Sequence, residues 1–116
     1  MTPFEVATLY GAAGGTLLLA LSLIRALSPA PSAPGAHLNA AEHIPVVLIV
    51  IVLLAFMQAP IVILHATGGL LMAGRVLHAV SFLRSGARTT WRVAGQLLTF
   101  ASYGVGLAGL CLALAR

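Results

Sequence analysis

From Ile44 to Met57 the chain reads IPVVLIVIVLLAFM, without one charged or hydrogen-bonding side chain. Its Val and Ile would suit a buried strand in water. Facing lipid, a run of this length can satisfy its own backbone N–H and C=O groups only as a helix. The alternation that marks a membrane barrel is missing. Proline and arginine punctuate the rest of the sequence into three more apolar stretches, so four spanning helices are expected, at about residues 4–24, 39–57, 61–83 and 90–115. Each is close to the ~20 residues that cross a bilayer. The segment LSPAPSAPGA after Arg25, with three prolines, is expected to be a loop, and RSGARTT a short connection. The fold class is therefore all-α: an integral membrane four-helix bundle, one domain over residues 1–116.

Composition agrees, and it removes several function classes. The chain is 60% hydrophobic and 7% charged, with no lysine and no aspartate. A soluble domain carries roughly 25% charge. The net charge of +4 comes from six dispersed arginines that form no basic stripe, which argues against nucleic acid as a partner. Cys111 stands alone in the last apolar run, where an intrachain disulfide or a CxxC motif is impossible. The first apolar stretch begins beside Glu5 rather than a basic cluster, so it is expected to remain as a helix and not as a cleaved signal.

Arginine also sets the orientation. Arg25, Arg84, Arg88 and Arg92 flank the first and third loops, whereas Arg116 lies on the other side. The positive-inside rule places those loops in the cytoplasm and both termini outside.

Polar groups in membrane segments are costly, and here they cluster. Asn39 and Glu42, three apart, open the second span; Arg75 and His78, three apart, approach the same membrane face in the third. An ion pair between Glu42 and Arg75, or a hydrogen-bonded network, would let both helices keep their polar groups. Such a network either locks two helices in register or holds a ligand. In the second case Arg84, Arg88 and Arg92 add a positive funnel for an anion. His43 and His65 are expected at the interfaces. The histidine spacing offers no metal-ligand motif, and no nucleophile motif is present. Gly11 and Gly15, and the glycines at 104, 106 and 109, read as helix packing; the GxGxxG they spell has neither the strand nor the acid of a dinucleotide site.

The string HLNAAEHIP, followed by GRVLHAVSFL and then by WRVAGQLLT at the last span, resembles the membrane-associated proteins in eicosanoid and glutathione metabolism, the MAPEG family, and most of all its small bacterial members. The resemblance implies a homotrimer in a bacterial inner membrane, with glutathione as co-substrate between subunits and no metal. It implies that Arg25, His37, Asn39, Glu42, Arg75 and His78 bind the peptide. It assigns thiolate stabilisation to Arg92, with Arg88 as the alternative. A small lipophilic electrophile would arrive from the membrane lipids, in a transferase or peroxidase reaction. Gly35 and Phe82 stand where conjugating members have an arginine and a tyrosine. That departure keeps open a non-catalytic scaffold binding lipid or glutathione. A small multidrug transporter of similar length is the more remote alternative, since it needs a carboxylate midway along a span, and Glu5 and Glu42 both sit near span ends.

Overall fold

The computed structural model describes residues 1–85 and 89–116. It contains four helices: α1 (Pro3–Leu27), α2 (Ala33–Phe56), α3 (Ile61–Ser85) and α4 (Thr90–Leu114). All four are long and apolar enough to cross a membrane. A 25-residue helix such as α1 is about 37 Å long at 1.5 Å per residue, more than the ~30 Å hydrocarbon core. Each end therefore reaches into the interfacial region.

The chain runs up and down. The ring of Phe4, at the start of α1, meets that of Phe56, at the end of α2, with centroids 5.2 Å apart. At the other end Arg25 meets His37, joining the close of α1 to the opening of α2. The ends of α3 and the start of α4 return there, where Arg92 lies over Phe82. Both arginine-flanked connections thus share one end of the bundle.

Local chemistry explains the helix starts. Thr2 and Glu5 form a reciprocal capping box: the Glu5 N–H donates to Thr2 Oγ1 at 3.2 Å, and the Thr2 N–H donates to Glu5 Oε2 at 2.6 Å. Glu5 is thus employed as a cap. The proline-rich loop is shorter than expected, because α2 begins at Ala33 and not near residue 39. Pro34 sits in its first turn, where a missing N–H costs nothing and the fixed φ favours the helix. The early start moves Asn39 a turn and a half inside α2. It also leaves Pro45 in mid-helix, where it denies the Ala41 carbonyl its usual donor. Between α2 and α3, Gln58 adopts a left-handed backbone (φ 51°), and its side-chain amide donates to the Ala55 carbonyl at 3.1 Å.

Two apolar clusters fill the bundle. One, around Val47, Ile51, Leu54, Leu64 and Leu71, lies toward the end that holds the chain termini. The other, around Leu21, Ala36, Ala40, Ile44 and Ala79, lies toward the arginine-flanked end. Contact is most extensive between α3 and α4. Glycine makes that closeness possible: a Cβ on Gly74 would stand 2.7 Å from the Gly95 carbonyl oxygen, and a Cβ on Gly95 would stand 2.7 Å from that of Gly74. Nearer the other end, the buried Ser102 hydroxyl donates to the Thr67 carbonyl at 2.6 Å, adding a polar tie between the same helices.

The packing glycines are not all those expected. Gly14, not Gly11 or Gly15, meets α2, where a Cβ would stand 2.9 Å from Ile44 Cγ2; the other two have no neighbour within 4 Å. Of the GxGxxG glycines, 106 and 109 pack against α2 and α3 while Gly104 is open.

Candidate functional site

The backbone contact of Gly74 with Gly95 sets the site, because Arg75 and His78 follow on α3 and are pressed against α4. Arg75 is 1% exposed. A bare guanidinium at that depth would be prohibitive, so its surroundings must supply acceptors. They do so from two helices. Its Nε donates to Thr99 Oγ1 at 2.8 Å and Nη2 to Gln96 Oε1 at 2.9 Å, both on α4. Nη1 donates to Asn39 Oδ1 on α2. Three nitrogens of one rigid fork thereby fix α2, α3 and α4 relative to one another.

The network continues outward from Gln96. Its amide nitrogen lies 3.2 Å from His43 Nε2, and His43 Nδ1 lies 3.3 Å from the Tyr103 hydroxyl. No buried side-chain nitrogen or oxygen among the described residues lacks a partner.

Above this buried layer a cavity of about 340 Å³ is lined by Asn39, His78, Arg92, Val93, Gln96, Leu97 and Phe100. That volume falls at the lower end of the ~300–1,000 Å³ typical of small-molecule sites. Its lining combines polar groups, Asn39, His78, Arg92 and Gln96, with apolar ones, Val93, Leu97 and Phe100. Arg92, Val93, Gln96, Leu97 and Phe100 come from α4, Asn39 from α2 and His78 from α3, and Leu97 and Phe100 are exposed on the bundle exterior. The guanidinium carbon of Arg92 sits 4.6 Å from the centre of the Phe82 ring, a cation–π distance. Phe82 in turn lies beside the His78 ring, with centroids 5.9 Å apart.

Of the residues singled out in the sequence, Asn39, Arg75, His78 and Arg92 come together here. Glu42 does not join them: it is exposed, and no ion pair links it to Arg75 among the described residues. Of the two arrangements expected for Arg75, an ion pair or a hydrogen-bonded network, the described residues form the network, whose neutral acceptors satisfy the guanidinium without burying a second charge. Arg25 and His37 pair with each other at 3.2 Å on the exposed side, outside the cavity lining. Arg84 lines a separate crevice with Ser81, Thr89 and Trp91 and not this cavity. Arg88 lies outside the described residues.

Sequence reasoning placed His43 and His65 at interfaces. His65 is half-buried against Tyr10, whose hydroxyl lies 3.1 Å from its Nδ1, and the half-buried His43 belongs to the network. Gln96, Thr99 and Tyr103 went unnoticed. Their signal was present in the spacing: Arg92, Gln96, Thr99 and Tyr103 recur every three or four residues along an apolar span, which places them on one helix face.

Among known protein families, the family model of the MAPEG family matches residues 30–113. That stretch holds all of α2, α3 and the residues of the cavity. No curated protein and no solved structure matches the chain.

Proposed function

The chain belongs to the MAPEG family, and from that premise we propose that it is a glutathione-dependent membrane transferase or peroxidase acting on lipophilic electrophiles. It is an integral membrane protein by its four apolar helices. The observation that carries the reading is the mixed lining of the cavity: the polar Asn39, His78 and Arg92 share it with the apolar Leu97 and Phe100, which are exposed on the bundle exterior.

That mixture suits a reaction between a charged thiol peptide and an oily partner. The peptide, an anion from the aqueous side, is drawn toward Arg92 and takes hydrogen bonds from Asn39 and His78. The oily substrate enters past Leu97 and Phe100 from the bilayer. Arg75 is too deeply buried and too fully engaged to meet the peptide directly; it fixes Asn39 and Gln96 in place.

Chemically, the demand is modest. A free thiol has a pKa of about 8.5, and a nearby guanidinium favours the thiolate, which is the nucleophile. Arginine stays protonated, so Arg92 acts as a fixed positive charge and not as a base. The thiol proton leaves to water. In the transferase reaction the thiolate sulfur forms a bond to an electrophilic carbon, and the leaving group departs with its electron pair. In the peroxidase reaction two glutathione molecules reduce one hydroperoxide to an alcohol and water and become a disulfide.

In this reading three copies assemble as a homotrimer. The loops after α1 and α3 face the cytoplasm of a bacterial inner membrane, where glutathione is found. The test is glutathione-dependent consumption of an aryl halide and of a lipid hydroperoxide by the purified protein in lipid, alongside calorimetric titration with glutathione. Turnover of either substrate supports the reading. Binding without turnover moves the chain to a non-catalytic scaffold; absence of both rejects a glutathione function.

A further inference from the structure

Gly35 on α2 and Phe82 on α3 lie against each other. A Cβ added at Gly35 would stand 2.5 and 2.8 Å from two atoms of the Phe82 ring, closer than folded chains tolerate. The bare glycine is therefore what admits the ring. No turn requires a glycine there, since residue 35 lies inside the first turns of α2 and has no left-handed φ. In a helix, glycine costs about 1 kcal/mol relative to alanine, so its presence calls for a packing reason. Phe82 supplies one.

The same ring carries the Arg92 guanidinium, whose carbon lies 4.6 Å from the ring centre, and it flanks His78. Arg92 and His78 both line the cavity, whereas Gly35 and Phe82 do not. One aromatic ring thus connects a space on α2 to the cation on α4. Long arginine side chains have many rotamers, and an aromatic face restricts them at a favourable electrostatic position.

We propose that Phe82 is a positioning residue that holds the Arg92 guanidinium at the cavity, and that Gly35 acts through it by leaving the ring its seat. The assignment of chemistry to Arg92 rests on the function proposed above. The mechanical part does not. Nothing at position 82 touches the peptide in this account; its influence reaches the thiol only through Arg92.

The experiment uses the full-length protein in lipid with Phe82→Leu, Phe82→Tyr, Gly35→Ala and the double variant Gly35→Ala/Phe82→Leu. The readout is the pH dependence of turnover with glutathione, together with the ultraviolet absorbance of the bound thiolate. Loss of the ring in Phe82→Leu lowers the turnover number at neutral pH about fivefold, an effect of the size that a cation–π contact carries, and moves the thiol titration to higher pH. Phe82→Tyr, which keeps the ring, restores both. Gly35→Ala displaces the ring and reproduces the Leu phenotype, yet adds nothing to it in the double variant. Additive effects of Gly35→Ala and Phe82→Leu, or a Phe82→Leu enzyme with an unmoved pH profile, would overturn the proposal.

Should the wild-type protein neither bind nor turn over glutathione, the function above fails while this coupling is still measured. Thermal midpoints of Phe82→Leu, Arg92→Met and their double variant then form a cycle on the ligand-free protein. A non-additive cycle supports the ring-to-guanidinium contact, and an additive one rejects it.

Discussion

Gly74 and Gly95 face each other across α3 and α4 at a distance that leaves no room for a methyl group on either. A Cβ on Gly95 would stand 2.7 Å from both the Gly74 carbonyl oxygen and the His78 backbone nitrogen. The obstacle is backbone, which cannot rotate aside as a side chain can. Lipid supplies no hydrophobic drive between apolar helices, so close packing of this kind is a main source of their association. It is also what brings Arg75 within reach of Thr99 and Gln96.

Gly95→Ala is therefore expected to destabilise the bundle by about 3 kcal/mol, the upper part of the range for overpacking. Detergent-induced unfolding followed by circular dichroism measures it. Gly104→Ala, at an open position on the same helix, is the matched control and should leave stability nearly unchanged.

Arg75→Lys keeps the charge but offers one nitrogen where three acted. The ammonium cannot reach Asn39, Gln96 and Thr99 together, which lie on two helices. The expected loss is about 2 kcal/mol in the same unfolding assay, because acceptors are left buried without donors. Stability equal to the wild type would show that the fork does not tie the helices.

Arg92 carries a different burden. Arg92→Ala should lower the turnover number about a hundredfold, the scale of removing one preorganised charge from a transition state, while calorimetry still detects glutathione binding. Loss of binding with intact chemistry in the bound fraction would assign Arg92 to affinity alone.

Orientation is tested separately. A reporter active only in the cytoplasm should be silent when fused after Arg116 and active when inserted in the loop between α1 and α2. The opposite pattern would invert the bundle and remove its polar end from cytoplasmic glutathione.

Much of the fold was legible because hydropathy and helix length are one-dimensional properties: the run from Ile44 to Met57 permits little but a spanning helix. Local exceptions came from position. Pro34 stands in a proline-rich run that favours a loop, yet a proline in the first turn of a helix starts one. Among polar residues, Asn39, Arg75, His78 and Arg92 were visible since charge and amide groups stand out in apolar runs. Glu42 shows the limit of that argument. Its spacing from Asn39 places both on neighbouring parts of α2, yet α2 is rotated so that Asn39 faces Arg75 and Glu42 faces outward. Helix rotation depends on which glycines admit a neighbour, and Gly14, Gly74 and Gly95 do so while Gly11, Gly15 and Gly104 do not. The contact of Gly35 with Phe82 depends on the same three-dimensional fit, and nothing in their separation along the chain announces it.

The most direct measurement is a density map of the protein purified in lipid with glutathione. The account predicts peptide density against Asn39, His78 and Arg92, its sulfur beside the Arg92 guanidinium and its neighbour Leu97. Glutathione bound at a different surface, or a cavity that stays without peptide density at saturating concentration, would contradict it.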